Sequence, residues 1–246
     1  MRYKITVEYD GTHLVGWQKQ KDGPSAQEFL EKAVLGFSHQ TVDVFGAGRT
    51  DAGVHALGQV AHFDLAMDLS EYKIMESLNA LLRELAAPVS VLHVEKTTDD
   101  FHARFSAKGR GYIYRILNRR GPSPLLAERV WRVPYPLDVD AMRQAASCLL
   151  GNHDFSSFRG AGCQAKSPVK TLDKLDICRN GDEIIFTVEA RSFLYHQVRN
   201  MVGTLKEVGN GRLLPANVKE ILEARDRTKA GISAPACGLY LNKVMY

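Results

Sequence analysis

The chain has 246 residues and carries 32 Lys+Arg against 28 Asp+Glu, a formal net charge of +4, with 45% hydrophobic and 24% charged residues. That balance excludes a disordered or collagen-like chain, and the length accommodates one large domain or two of about 100–150 residues. No apolar run approaches the roughly 18–20 residues of a membrane span.

The opening segment Arg2–Tyr9 alternates Tyr3, Ile5, Val7 and Tyr9 with Lys4, Thr6 and Glu8. This period predicts a half-buried strand rather than the apolar core of a secretory signal. Ser25-Ala26-Gln27-Glu28 is a capping box, in which the Ser hydroxyl accepts from an amide of the first turn while the Glu reaches back. Ala26, Phe29, Leu30, Ala33, Val34 and Phe37 follow at helical spacing. A short strand over about 41–46 runs into a Gly-rich loop, and a second strand covers about 58–65. Leu78, Leu81, Leu82 and Leu85 predict a helix over about 70–86, and Val89–Val94 predicts a strand. The order strand, helix, strand, strand, helix, strand suggests a split βαβ unit.

The second half echoes this order without repeating the sequence. A strand around Tyr112–Leu117 precedes a helix marked by Val139, Met142, Ala145, Ala146 and Leu149, with Gly151 as its stop. Residues 151–169, rich in Gly, Ser, Asn and Pro, predict a loop. Strands over about 170–178 and 183–190 flank Asn180-Gly181, a hairpin signal. Helices over about 195–209 and after Pro215 lead to a closing strand marked by Leu239, Leu241 and Val244. The expected fold class is α/β of the α+β type. It consists of two mixed subdomains, residues 1–103 and 104–246, each an antiparallel-rich sheet with helices on one face.

The four cysteines, Cys148, Cys163, Cys178 and Cys237, are never closer than 15 residues, and the eight histidines are scattered without a His-Glu-x-x-His. These spacings predict free thiols in a reducing cytoplasm, no metal and no cofactor.

Charge separates the halves. Residues 1–103 carry 9 Lys+Arg and 15 Asp+Glu, whereas residues 104–246 carry 23 and 13. From Phe101 to Arg132 eight basic residues and one acid, Glu128, interleave with Tyr112, Tyr114 and Trp131. Cations for phosphates and flat rings for bases suit an RNA partner, and a solvated basic surface has the same composition.

The densest unusual stretch is Gly46-Ala47-Gly48-Arg49-Thr50-Asp51-Ala52-Gly53-Val54-His55-Ala56. Its spacing fits neither the dinucleotide fingerprint nor a Walker loop, since Val54-His55 follows where Lys-Ser/Thr is required. What remains is an aspartate two residues from an arginine on a Gly-flanked loop. It is either an ordinary loop ion pair or an ionised carboxylate ready to act as nucleophile or base. A second stretch, Arg191–Gly203, enters a helix whose Val198, Met201 and Val202 face a core. Arg199 lies off that stripe, either solvated or turned toward a cleft.

Gly48–Ala56 resembles the motif of the tRNA pseudouridine synthase A family. So do Tyr9-Asp10-Gly11-Thr12, Gly16-Trp17-Gln18, Phe101–Ala107, Gly151–Phe155 and Phe193–Asn200, in the family's order. The resemblance implies isomerisation of uridine to pseudouridine in the anticodon stem-loop of tRNA, at positions 38, 39 and 40. It also implies a cytoplasmic homodimer and two sheets joined at a cleft, with Asp51 at its floor. By resemblance Asp51 is the catalytic carboxylate and Arg199 the basic group that pairs with it. Arg49 helps displace the target base, and Tyr112 stacks on that base, with Tyr114 as its neighbour on the same strand face. Attack at C6, attack at C1′ and a glycal route remain open. Lys108-Gly109-Arg110-Gly111 departs from the family pattern.

Two other classes fit parts of the sequence. A non-catalytic RNA-binding module accounts for residues 101–132 but gives the Asp51 loop no task. A glycoside hydrolase needs a second carboxylate, and the candidates Asp43 and Asp64 fall in predicted strands. Within the class, a pseudouridine synthase acting on another RNA is the closest alternative.

Overall fold

The alternation at the start of the chain folds as a strand, β1 (Arg2–Tyr9), which buries Tyr3, Ile5, Val7 and Tyr9 and leaves the residues between them partly or fully exposed. Helix α1 (Ala26–Ser38) begins where the Ser25 Oγ accepts from the Glu28 amide at 3.2 Å. Only this half of the capping box forms, because the Glu28 carboxylate turns to Lys32 one helical turn on (2.8 Å). β2 is shorter than expected, Phe45–Gly46, and β3 longer, His55–Asp64. Helix α2 (Glu71–Glu84), capped by Ser70, and β4 (Val89–Thr97) complete the order read from the sequence.

The computed structural model describes residues 1–246 and divides into two units, Met1–Lys108 with Tyr240–Tyr246, and Gly109–Leu239. In the first unit β1 lies between β4 and β3, antiparallel to both, and β2 pairs with β3. The last strand, β10 (Leu239–Met245), adds to β3 in parallel, with Tyr240 opposite His55. α1 and α2 pack on each other, and Leu30, Ala33 and Val34 with Ile74, Leu78 and Leu82 are buried. β3 is flanked by strands and buries eight of its ten residues, among them the polar His55, Gln59 and His62.

In the second unit β5 (Gly109–Leu117), β9 (Glu183–Ala190), β8 (Val169–Asn180) and β7 (Gly151–Asp154) pair antiparallel in that order, and β6 (Trp131–Arg132) adds to β5 in parallel. Gly181 takes φ +57° in the hairpin turn between β8 and β9. Helices α3 (Val139–Ala146), α4 (Gln197–Gly209) and α5 (Pro215–Ala224) pack together. The loop expected over 151–169 is in part ordered structure. Gly151–Asp154 pairs with Val169–Leu172 as β7, and Ser156–Phe158 forms a 3-10 turn with Phe155 and Phe158 buried. Short polar strands carry no alternation, so the composition pointed to a loop.

Over these units Lys+Arg and Asp+Glu number 12 and 15 in the first and 20 and 13 in the second. The charge division therefore survives the return of β10. No helix is long and apolar enough to cross a membrane.

His62 is buried on β3, and burial, with the charges of His102 and Arg2, pushes its imidazole down to about 4. The native state thus holds it neutral, whereas the unfolded chain protonates it near its ordinary value of about 6.5. Stability contributed by the neutral ring is complete above that value and is lost as pH falls toward 4. Asparagine retains an acceptor without titrating. The stability lost between about pH 7 and about pH 4.5, measured by urea unfolding, is expected to be smaller for His62→Asn than for the wild type.

Candidate active site

The start of the loop between β2 and β3 is tied to β3 by two hydrogen bonds. The Ala47 amide donates to Val60 O (2.7 Å), and the buried Gln59 side chain donates to Gly48 O (2.7 Å). The chain then crosses the segment after β1. There the Trp17 amide donates to Thr50 O (3.2 Å), and the Tyr9 hydroxyl shares a 2.9 Å hydrogen bond with Thr50 Oγ1. Asp51 opens a turn closed by the Val54 amide on Asp51 O (3.1 Å), with Gly53 at φ +77° donating to Leu14 O (3.3 Å). Thr50 and Val54 are buried, and Asp51 between them is half-buried. The frame thus fixes the Asp51 backbone in a residue that is half-buried.

Two glycines make this crossing possible. A Cβ on Gly16 would lie 2.2 Å from Thr50 O, and Gly16 has φ +109°; a Cβ on Gly11 would lie 2.1 Å from Val54 O. His55 supports the turn from below. Its buried ring stacks on Tyr240 (4.7 Å between centroids), and its Nδ1 accepts from the Gly11 amide (3.0 Å). Asp10 Oδ1 lies 3.2 Å from the same nitrogen.

Arg49 is exposed, and its guanidinium does not pair with Asp51. The loop ion pair that the spacing allows therefore does not form, because the buried Thr50 between them holds the two residues in different environments. Arg49 instead points its charge to solvent, where a ligand can meet it.

Tyr112 and Arg199 belong to the second unit. Tyr112 on β5 is half-buried, with its ring edge-to-face on Phe193 (5.2 Å, 87°). Tyr114, two residues on, is wholly buried against Trp131 and Phe186, and its hydroxyl donates to Pro235 O (2.8 Å). Of the two tyrosines only Tyr112 can offer a ring to a ligand.

Arg199 lies in the first turn of α4, and a strap formed by residues 227–235 clamps it. Its Nε donates to Ala234 O (2.7 Å), the Ala234 amide donates back to Arg199 O (3.0 Å), and its Nη1 lies 3.2 Å from His196 Nε2. The strap is held in turn by Arg227, which donates to Asn200 Oδ1 (3.0 Å) and Gly231 O (2.9 Å), and by the Gly231 amide on Thr204 Oγ1 (2.9 Å). It passes so close to α4 that a Cβ on Gly203 would lie 1.7 Å from Ile232 O. Sequence reasoning missed His196, Asn200 and the strap. The available signal was the cluster of polar residues and glycines, Asn200, Gly203 and Thr204, inside an otherwise apolar helix face.

No group of three or more His, Cys, Asp or Glu side chains is placed to hold a metal ion. The first unit carries the fixed turn of Asp51, and the second carries the clamped guanidinium of Arg199 and the half-buried ring of Tyr112.

A family model described as tRNA pseudouridine synthase matches residues 5–106 and 145–246. Across its whole length the chain is 56% identical to the tRNA pseudouridine synthase A of Rhodospirillum centenum over 245 residues, 99% of that protein. It is 55% identical to that of Paramagnetospirillum magneticum (95% of that protein) and 53% identical to that of Ehrlichia ruminantium strain Gardel (100%). The chain belongs to the tRNA pseudouridine synthase A family.

The crossing at Gly16 gives a direct test of the frame. Gly16→Ala is expected to lower folding stability by about 2 kcal/mol or more, through the positive φ and the clash with Thr50 O. Chemical denaturation measures this loss, and pseudouridine formation is expected to fall in the fraction that remains folded.

Proposed function

We propose that the protein converts uridine to pseudouridine in the anticodon stem-loop of tRNA, at positions 38, 39 and 40. The N1–C1′ bond breaks, the uracil turns, and C5 bonds to C1′, with the C5 proton lost and a proton gained at N1. Nothing is added or removed overall. The observation that carries this reading is the Asp51 carboxylate, presented half-exposed from a buried turn inside the segment the family model matches.

Asp51 is assigned as the nucleophile, a role a carboxylate fills without being consumed. Arg199 is assigned to pair with it and keep it ionised. The clamp on Nε and Nη1 supports this assignment, since it fixes the plane of the guanidinium before substrate arrives. Extruding the target nucleotide costs a few kcal/mol, and stacking on Tyr112 returns about 1–3 kcal/mol. The exposed Arg49, two residues from Asp51, is assigned to occupy the vacated place in the stack. The basic second unit supplies most of the charge for the tRNA phosphates. The protein works on this reading as a cytoplasmic homodimer, as the family resemblance implies.

An unmodified tRNA transcript incubated with the protein and assayed chemically for pseudouridine tests the activity. Product mapped to positions 38–40 is expected. Product elsewhere assigns another RNA site, binding without product assigns a binding module, and free uracil assigns a hydrolase. Asp51→Asn is expected to abolish product while tRNA binding stays within a few-fold of wild type, and turnover by that variant contradicts the nucleophile assignment. Arg199→Ala is expected to lower single-turnover rates by about 100-fold or more, in the range for losing one preorganised charged donor. tRNA binding measured by filter retention is expected to weaken steeply as salt rises, with a log–log slope of several.

A further inference from the structure

The reading above leaves unused a group of rings on the first unit. Phe45 lies face to face with His62 (5.2 Å between centroids, 23° between planes), and His102 meets both, at 4.7 Å from His62 and 5.7 Å from Phe45. Phe105 closes the group at 4.4 Å from His102. Two of these rings face water, since Phe105 is 77% exposed and Phe45 47%. Folding gains nothing from a phenylalanine left this exposed, and singly placed apolar residues rarely carry such an ordered set of ring contacts.

The group is held from behind by backbone. The Ala103 amide donates to His62 Nδ1 (3.2 Å) and the Arg104 amide to His102 Nδ1 (3.1 Å). The turn that carries Phe105 is closed twice, by the Ser106 amide on His102 O (2.9 Å) and by the His102 amide on Ser106 Oγ (3.0 Å). Burial lowers the basicity of both imidazoles, so at neutral pH the four rings are uncharged. Two cations lie close to them: Arg104, whose guanidinium carbon is 5.8 Å from the Phe105 centroid, and Arg2, whose charge acts on both imidazoles. The neighbouring Asp64 carboxylate is neutralised by a two-point pair with Arg2 (2.8 Å each).

Position adds the second line of argument. β2, which contains Phe45, runs directly into the loop of Arg49 and Asp51. Ala47 of that loop and Ala103 of the ring-bearing turn share one buried cluster with Val60, backed by Phe101 and Tyr246, and the Tyr246 hydroxyl donates to Ala103 O (2.7 Å). The rings and the Asp51 loop are therefore parts of one compact unit and pack on a shared cluster.

We propose that Phe105, backed by His102 and flanked by Phe45, is a stacking platform for an unpaired nucleobase adjacent to the target nucleotide, with Arg104 contacting that nucleotide's phosphate. Flat uncharged rings with one exposed face suit any base, because every base presents a π-face, and the exposed Arg104 guanidinium suits the backbone that accompanies it. A docked protein would call for a broader aliphatic surface than these rings provide. The platform explains how the substrate stays in register while its target base is out of the stack. The inference rests on the RNA-modifying reading above.

The test uses the full-length protein and an anticodon stem-loop RNA carrying 2-aminopurine on either side of the target uridine, with fluorescence and steady-state pseudouridine formation measured together. The wild type is expected to quench one of the two labels on binding. Phe105→Ala is expected to remove that quench and raise KM by about 5- to 100-fold, the range that stacking on one ring supplies, with kcat changing less than KM. Phe105→Trp is expected to restore both. An unchanged melting temperature for the alanine variant identifies the loss as one of binding. Quench and KM both unchanged in Phe105→Ala, or a loss that Trp does not rescue, overturns the platform. A Phe105-dependent quench without any pseudouridine in the wild type would instead leave the platform standing and refute the reading on which it rests. Weakened self-association in Phe105→Ala with unchanged KM, seen by sedimentation, overturns the platform in favour of a contact between copies.

Discussion

The site depends on one close crossing of backbone over backbone. The segment after β1 passes under the Asp51 loop so tightly that neither Gly11 nor Gly16 has room for a Cβ, the nearest atoms being carbonyl oxygens of Val54 and Thr50. The crossing is sealed by the Trp17 amide on Thr50 O and by the Tyr9–Thr50 hydroxyl pair. A buried backbone group that fails to find a partner costs about 1–3 kcal/mol, so the loop has few ways to shift without leaving donors unsatisfied. Asp51 inherits its position from this network and not from an ion pair with Arg49.

The second unit fixes its charged group by the same means. Arg199 is oriented by a carbonyl of the strap and by Nε2 of His196, and the strap is anchored through Arg227, Asn200 and Thr204. These contacts fix the plane of the guanidinium within the second unit. Such preorganisation lets charge be stabilised during reaction without a cost of rearrangement at that moment.

Local signals were legible in the sequence where a short stretch decides its own conformation. The alternation of Tyr3, Ile5, Val7 and Tyr9, the Ser25 cap and the Asn180-Gly181 turn each produced the expected element. The family motif led to Asp51, and the half-exposed turn gives that residue a physical reason to be singled out. What the sequence hid was non-local. Nothing near Leu239–Met245 announces that this strand lies beside β3 of the first unit, and nothing near Tyr112 tells it from Tyr114 until Pro235 and Trp131 close over the latter. β7 escaped notice because its pairing with β8, not its own Gly-Asn-His-Asp composition, makes it a strand. Glu28 was expected to reach back to the start of its helix and turns to Lys32 instead, and of the two readings open for the Arg49–Asp51 spacing the loop ion pair does not form.

The central claim is that the Asp51 loop is built before RNA arrives. Amide hydrogen exchange of residues 47–55 in the free protein tests it most directly. The amides of Ala47, Gly53 and Val54, each bonded to a carbonyl, are expected to exchange only through openings nearly as costly as global unfolding. Exchange at the rate of an exposed loop, slowed only when tRNA is added, would show that the substrate orders the loop and would contradict the account.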